Sequence, residues 1–338
     1  NVTIKANWLQ LPSCQVNYLE QGTNIVIHDA STRYGEVGEK LTEPAIDIDG
    51  YHVVSETPQT LIFAESGNAI NFYYVKNTVD YKVNYYLNGT EQKVADSETK
   101  RAAWGSTVKA SDLAKAISGY TVVPHQDATI TVNLDGSSTI NVYYYKNVDL
   151  VANSKTDEVY DGTEKSVYGF TGAPDDADFS AITVGAAGTN AGTYAANFAG
   201  GTVGKVDATE KYIVNSAQDG KLIISPVTQE VTIKVTGRQG GEKYNGKEQT
   251  VSGYDIDATT LPTGVAASDV KYNATASVSA TNAGEYAMGL KDTQFSLSGD
   301  AAKNYTNVKF EVVDGKLTID KRQVTLESEN GHKNYDGK

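Results

Sequence analysis

The chain has 338 residues and a formal net charge of −13 spread over both halves, with 11 Lys/Arg against 16 Asp/Glu in residues 1–147 and the remaining −8 beyond them. That length suits roughly two to four domains, and the absence of a basic cluster argues against nucleic-acid binding and against adhesion to anionic lipid. No apolar run reaches the ~18 residues that span a membrane, and the N-terminus lacks the shape of a signal peptide, so the sequence reads as a soluble piece of something larger, with no membrane insertion. Its one cysteine, Cys14, excludes an intramolecular disulfide and is expected to be a small semi-buried apolar residue. With no histidine beside it, it is not a nucleophile. A repetitive, cysteine-poor chain rich in Tyr, Thr, Asn and Gly suggests a bacterial surface protein.

Residues 1–12 fit no repeat and read as the tail of a preceding element. From Ser13 onward the chain repeats itself. Val16-Asn17-Tyr18 recurs as Val83-Asn84-Tyr85, each running into Gly-Thr at Gly22-Thr23 and Gly89-Thr90. Gly50-Tyr51 recurs as Gly119-Tyr120, and Ile70–Asn77 recurs as Ile140–Asn147. Two units therefore cover 13–79 and 80–147. In Ile70–Val75, Ile70, Phe72 and Tyr74 alternate with Asn71, Tyr73 and Val75, the period of a half-buried strand. In the middle of the second copy, Ser111 at an N-cap, Leu113, Ala116 and Ile117 on one face and Gly119 beyond the end predict a short helix. The first copy, Leu41–Ile48, is interrupted by Pro44 and makes a poorer helix. Four or so strands around one short helix suggest a β-grasp unit.

The order Val-Asn-Tyr, Gly-Thr, the Gly-x-x-Gly-Glu of Gly35–Glu39, Gly-Tyr-x-Val-Val and the terminal Tyr-Tyr-x-Lys-Asn resembles MucBP repeats, the mucin-binding-protein domains of Gram-positive surface adhesins. The second copy departs at Ala103-Trp104-Gly105-Ser106, where the Gly-x-x-Gly-Glu signal is lost. The resemblance implies a ubiquitin-like β-grasp unit, extracellular exposure and contact with host mucin, glycan or another extracellular host protein.

After Asn147 the pattern changes. Tyr160-Asp161-Gly162 recurs as Tyr244-Asn245-Gly246 and again as Tyr335-Asp336-Gly337. Asn190-Ala191-Gly192-Thr193-Tyr194 recurs as Asn282-Ala283-Gly284-Glu285-Tyr286, and Asp219-Gly220-Lys221-Leu222 as Asp314-Gly315-Lys316-Leu317. Asp-Gly and Asn-Gly before alternating apolar residues are turn and hairpin signals. Units are placed at 148–227 and 228–322, with the incomplete start of a third at 323–338, whose Val324-Thr325-Leu326 reads as an opening strand. These units resemble MBG domains, which occur in tandem in bacterial surface proteins, and the resemblance implies an all-β, sandwich-like unit with a β-grasp variant as the alternative. Tyr194 and Tyr286 are expected to bury their rings in their own cores.

Chemistry-bearing patterns are scarce. His28, His52, His125 and His332 fall in different units without metal spacing. Asp175-Asp176-Ala177-Asp178 lacks the glycine and distal Glu of a calcium loop and reads as a solvated acidic loop. Leu261-Pro262-Thr263-Gly264 lacks the extra residue of a sortase signal and reads as a loop. No catalytic, cofactor-binding or metal-ligating residue is assigned. The candidate ligand contacts are Tyr73, Tyr143 and Tyr145, as aromatic rings on the outward face of a strand that can stack on sugars.

The sequence thus reads as a mainly β, elongated, monomeric rod: a non-catalytic region of a cell-surface adhesin, held to the cell wall through a segment outside this sequence. The alternative is a purely structural spacer that presents a binding domain located elsewhere. The joints at Asn77–Asp80 and Asn147–Asp149 leave little slack. A single globule of this length would have a radius of gyration of about 20 Å, and small-angle scattering of a rod should exceed that by roughly a factor of two. A value near the globular one would overturn the rod.

Overall fold

A computed structural model of the chain describes residues 10–331 and 333–337. The reading of residues 1–12 as a tail falls mostly, and that of His332 wholly, outside the described residues. The chain divides into two compact units. The first comprises the residues through Val148 together with Asp176–Asp178 and Gly204–Asn215, and the second comprises Asp149–Asp175, Phe179–Val203 and the residues from Ser216 onward.

The first unit contains two copies of one topology. In the first copy β1 (Ser13–Glu20), β2 (Val26–Tyr34), β3 (Lys40–Glu43), β4 (Tyr51–Val53), β5 (Gln59–Ile62) and β6 (Asn68–Lys76) give a four-stranded sheet of order β2-β1-β6-β4, with β3 and β5 paired apart from it. In the second, β7 (Thr78–Leu87), β8 (Lys93–Ala103), β9 (Thr107–Lys109), β10 (Tyr120–Val122), β11 (Thr129–Thr131) and β12 (Thr139–Ala152) repeat it as β8-β7-β12-β10, with β9 on β11. The first and last strands of each copy, β1 with β6 and β7 with β12, are parallel neighbours. The period-two alternation puts one side of each pair in a core. Cys14, Val16, Tyr18, Ile70, Phe72 and Tyr74 fill the first, and Val83, Tyr85, Ile140, Val142 and Tyr144 the second. Each such side chain contributes about 1.5–3 kcal/mol on burial. Cys14 is fully buried, and burial pushes its thiol pKa up.

The expected helix at Ser111–Ile117 is only a 3-10 turn, Ala110–Leu113. The Tyr144 hydroxyl accepts from the Lys115 amide and donates to the Lys115 carbonyl, both at 2.9 Å, so the groups a longer helix would use are already paired. Tyr74 does similar work in the first copy, donating to the Ile46 carbonyl at 2.8 Å.

Only Asn77 separates β6 from β7. Its amide donates to the Gly50 carbonyl, its own carbonyl accepts from the Trp104 amide, and its side chain meets His52 Nδ1 at 2.8 Å. The Trp104 indole N–H also donates to Gly50, its ring stands edge-on to Tyr51 at 5.4 Å, and the Lys76 ammonium lies over it. The Trp104 that breaks the repeat pattern is therefore the residue that joins the two copies.

The rest of the chain also holds two copies of one pattern, with β18 beginning in the first unit and ending in the second. The strands from here on are β13 (Lys155–Val159), β14 (Lys165–Tyr168), β15 (Phe170–Thr171), β16 (Gly185–Gly188), β17 (Gly192–Ala196), β18 (Tyr212–Gln218) and β19 (Gly220–Ser225), then β20 (Val231–Gly237), β21 (Gln239–Lys243), β22 (Gln249–Ser252), β23 (Tyr254–Ile256), β24 (Val270–Tyr272), β25 (Ser277–Ala280), β26 (Gly284–Ala287), β27 (Phe295–Leu297), β28 (Val308–Val313) and β29 (Lys316–Asp320), with one short helix, α1 (Gly299–Asn304). β19 lies between parallel β13 and antiparallel β17, as β29 lies between parallel β21 and antiparallel β26. β20 is likewise flanked by antiparallel β23 and parallel β28. These mixed sheets differ from the antiparallel pairing that an immunoglobulin-like sandwich requires.

Asp219-Gly220 and Asp314-Gly315 do not close hairpins, because the strands on either side of each belong to different sheets. Both carboxylates cap amides across the bend, Asp219 that of Phe198 and Asp314 those of Gly289 and Leu290. A Cβ on Gly220 would meet the Asn153 carbonyl oxygen at 2.4 Å, and one on Gly315 the Arg238 carbonyl oxygen at 2.8 Å. Glycine is required there for close backbone approach rather than for a tight turn. Tyr194 and Tyr286 are half-buried rather than fully buried, Tyr194 packing against the core of its own repeat, with hydroxyls bonded to the Asn190 and Asn282 carbonyls at 2.8 and 3.2 Å. The expected strand at Val324–Leu326 is not formed, and Val324 and Leu326 are exposed.

Trp104→Ala removes a half-buried ring together with the donor to Gly50, and is expected to cost about 2–3 kcal/mol. Urea denaturation followed on the first unit measures it. A loss below about 0.5 kcal/mol, the level of an ordinary surface substitution, would show that the two copies are not coupled through this joint.

Candidate functional site

The outward faces of the two central strand pairs begin alike. Asn17 Nδ2 donates to Asn71 Oδ1 at 2.8 Å across β1 and β6, and Asn84 Nδ2 to Asn141 Oδ1 at 3.0 Å across β7 and β12. The outward tyrosines follow two residues on. Tyr143 lies opposite Tyr86 in register, with ring centroids 6.3 Å apart. A polar side chain from the preceding segment brackets each tyrosine's backbone. The Tyr143 amide donates to Gln126 Oε1 at 2.8 Å, and the Tyr73 amide to Ser55 Oγ at 2.6 Å.

Beside Tyr143 the turn after β7 forms a shallow dish of about 440 Å³ lined by Asn88, Gly89, Thr90, Glu91 and Tyr143. Gly89 has φ +66°, the left-handed region that the turn needs. The turn is anchored by the Asn88 amide on the Tyr144 carbonyl at 2.8 Å and by Thr90 Oγ1 on the Leu87 carbonyl at 3.0 Å. A half-buried ring edged by hydroxyl, amide and carboxylate groups suits a sugar, which offers an apolar C–H face and a rim of hydroxyls.

The three tyrosines do not form one site. Tyr73 belongs to the first sheet, and Tyr143 and Tyr145 to the second. All three are half-buried. Residues Gly204–Asn215 run beside the end of the second sheet: the Lys146 amide donates to the Lys211 carbonyl, and Asn88 Nδ2 donates to the Glu210 carbonyl, both at 2.8 Å. Burial pushes the Tyr145 phenol pKa up, and the Glu210 carboxylate adds to the shift. The backbone next to Tyr145 is held to this segment, and Tyr143 is the tyrosine that borders the dish. Sequence reading missed Tyr86 and the wall Asn88–Glu91. The Gly-Thr at Gly89-Thr90, repeated from Gly22-Thr23, was the signal that could have found the wall.

The segment 204–215 is held by Asp207, whose carboxylate is 3 % exposed and accepts from the amides of Asp178, Thr209, Lys211 and Tyr212 and from the Thr209 hydroxyl. Burial pushes the Asp207 pKa up, but these hydrogen bonds outweigh it and hold the carboxyl below its usual range. Asp176 is engaged as well, with Lys211 Nζ at 2.5 Å and the Tyr212 hydroxyl at 2.6 Å. That bond, with burial, raises the Tyr212 pKa to about 12. The acidic run Asp175–Asp178 is exposed, as a solvated loop is, while its Asp176 carboxylate also holds Lys211 and Tyr212, and among the described residues no group of three His, Cys, Asp or Glu side chains is placed to hold a metal.

The sequence model of the MucBP domain matches residues 14–75 and 82–145, one stretch in each copy of the first unit. Among solved structures, the type 2 repeat of the mucus binding protein MUB from Lactobacillus reuteri aligns at 13 % identity over 40 % of this chain and 100 % of its own, with a TM-score of 0.15. The crystal structure of Mub-RV aligns at 16 % identity over 40 % of this chain and 98 % of its own, with a TM-score of 0.14. No curated protein matches the chain.

Because the folded pKa of Asp207 is depressed, its contribution is complete above the unfolded carboxylate pKa of about 3.9 and is lost as pH falls through the lower folded value. Protection of the amides of residues 204–215, taken relative to unstructured peptide at the same pH, should therefore be high at pH 5 and fall below about pH 4. Asp207→Asn should abolish that acid step, and an unchanged step in the variant would assign it to another group.

Proposed function

We propose that this chain is a non-catalytic, mucus-binding region of a bacterial cell-surface adhesin. Its first two repeats, 13–79 and 80–147, would be MucBP units of β-grasp type that touch host mucin or another host glycoprotein. The repeats 148–227 and 228–322 would be MBG-type units that carry them. The observation that supports this reading best is the coincidence of the two MucBP matches with a repeated arrangement, an outward tyrosine beside a Gly-Thr turn, which in the second copy borders the dish at Tyr143.

The dish carries Glu91, and the chain as a whole carries −13. Like charges oppose one another at short range, so the ligand chemistry favoured is a neutral sugar rather than a sialic acid or a sulfated sugar. The first reading also keeps the protein on the outside of a Gram-positive cell, anchored to the wall through a segment outside this sequence.

The spacer alternative draws support from Asn77, a one-residue joint between two sheets with hydrogen bonds on both sides. A glycan array separates the two readings. A binding role predicts retention of neutral mucin-type glycans by the parent chain and a loss of about tenfold or more for Tyr143→Ala, in line with truncation of an aromatic anchor, with Tyr145→Ala much closer to the parent. No retention of any glycan by the parent would leave the spacer.

A further inference from the structure

The two repeats of the second unit meet through a specific set of groups. Tyr160 is 6 % exposed and stands edge-on to Tyr305 at 5.6 Å. Both hydroxyls donate to the Thr263 carbonyl, at 3.3 and 2.9 Å. Asn304, 2 % exposed at the end of α1, accepts from the Ala191 amide at 2.7 Å and donates to Asn190 Oδ1 at 3.0 Å. Asn190 in turn donates to Asp300 at 2.9 Å. A Cβ on Gly162 would lie 2.6 Å from the Thr263 methyl. The repeat 148–227 therefore offers Tyr160, Gly162 and Asn190-Ala191 as a face, and the repeat 228–322 inserts Thr263, Asn304 and Tyr305 into it.

The same face exists on the repeat 228–322. Tyr244, Gly246 and Asn282-Ala283 occupy the equivalent positions, carried by β21 and β26 on either side of β29 as the first set is carried by β13 and β17 on either side of β19. Here Tyr244 is 39 % exposed, Asn282 is exposed, and nothing lies within 4 Å of a Cβ built on Gly246. Next to it is a hollow of about 410 Å³ whose wall includes Asn245, Lys247 and Gln249. Among the described residues Gln249 Oε1 is buried there without a hydrogen-bond partner. At the equivalent position Lys165 is paired within its own repeat, with Asp161 at 2.6 Å. An exposed phenol, an exposed Asn282 and open space over Gly246 coincide on one surface.

We propose that the face formed by Tyr244, Gly246 and Asn282-Ala283 docks a further repeat of the same kind, and that residues 323–337 are the opening of that repeat. The chain itself indicates the occupant. Val324-Thr325-Leu326 follows Val231-Thr232-Ile233 by 93 positions, and Tyr335-Asp336-Gly337 follows Tyr244-Asn245-Gly246 by 91. The chemistry of the occupied joint specifies what the incoming repeat must present: a carboxamide to accept from the Ala283 amide, a phenol after it to stack on Tyr244, and a loop carbonyl in reach of both hydroxyls. The shared character of the two faces also explains why Tyr-Asx-Gly and Asn-Ala-Gly recur together, since one surface uses both.

The test is to place a second copy of residues 230–322 directly after Arg322 and to compare amide hydrogen exchange at Ala283 in the present and lengthened chains, with Ala191 as the internal reference. Docking slows Ala283 by about tenfold or more in the lengthened chain, toward the rate of Ala191, because the amide gains a buried partner. Changing only the added copy's asparagine at the position of Asn304 to alanine returns Ala283 to its fast rate, while exchange at the added copy's own strands confirms that it is folded. Equal rates at Ala283 in the present and lengthened chains, or slowing that survives the alanine change, would overturn the proposal. Protection of Ala283 already in the present chain would do the same, by showing that another part of the chain or a second copy of it covers the face.

Discussion

Parallel pairing of first strand with last is the constraint from which the rest of each module of the first unit follows. Adjacent parallel strands cannot be joined by a tight hairpin, so everything between β1 and β6, or between β7 and β12, has to cross from one end of the sheet to the other. The crossing segment must cover the apolar side of the pair, which is why Tyr74 and Tyr144 reach out of the sheet to hold it by its backbone at Ile46 and Lys115. The same pairing puts the start and finish of a module at opposite ends of its sheet. The next module then begins where the last one stopped, with Asn77 alone between β6 and β7.

That logic was partly visible in the sequence. Period-two alternation at Ile70–Val75 set which side chains face inward, and the repeats at Val16 and Val83 paired the copies correctly. Three features were not visible because their causes are distant in sequence. The segment after Ser111 has helical spacing, but Tyr144, 29 residues on, takes the Lys115 backbone groups. Asp219-Gly220 has the letters of a hairpin turn, yet its glycine answers to the Asn153 carbonyl from another strand. Trp104 looked like a loss of pattern because its partner, Gly50, is 54 residues away.

The candidate site shows the same division. Outward placement of Tyr73 and Tyr143 follows from strand period alone. The difference between Tyr143 and Tyr145, two residues apart on one face, does not. It depends on the segment around Glu210, whose carbonyl meets Asn88 across 122 residues and whose Lys211 carbonyl accepts from the Lys146 amide next to Tyr145. That segment stays in place through Asp207, where five donors converge on one carboxylate with almost no exposure. Nothing in the local letters around Asp207 distinguishes it from the neighbouring acids of a solvated loop. Only the count of amides it satisfies does, and that count requires the fold.

The joints explain why particular aromatic residues were selected. Where one module covers the end of another, it removes water from carbonyl groups that the covered turn or loop leaves available, and each such group must regain a donor. At the first joint the Gly50 carbonyl receives the Asn77 amide and the Trp104 indole N–H. At the joint in the second unit the Thr263 carbonyl receives the Tyr160 and Tyr305 hydroxyls. Phenylalanine or leucine would supply comparable apolar area at either place but remove one of the two donors each carbonyl receives, a net loss of about 0.5–1.5 kcal/mol. Both joints have thus met one physical requirement with side chains that combine a flat apolar body and a donor at its edge, so that ring packing and a second hydrogen bond to the carbonyl come from one residue.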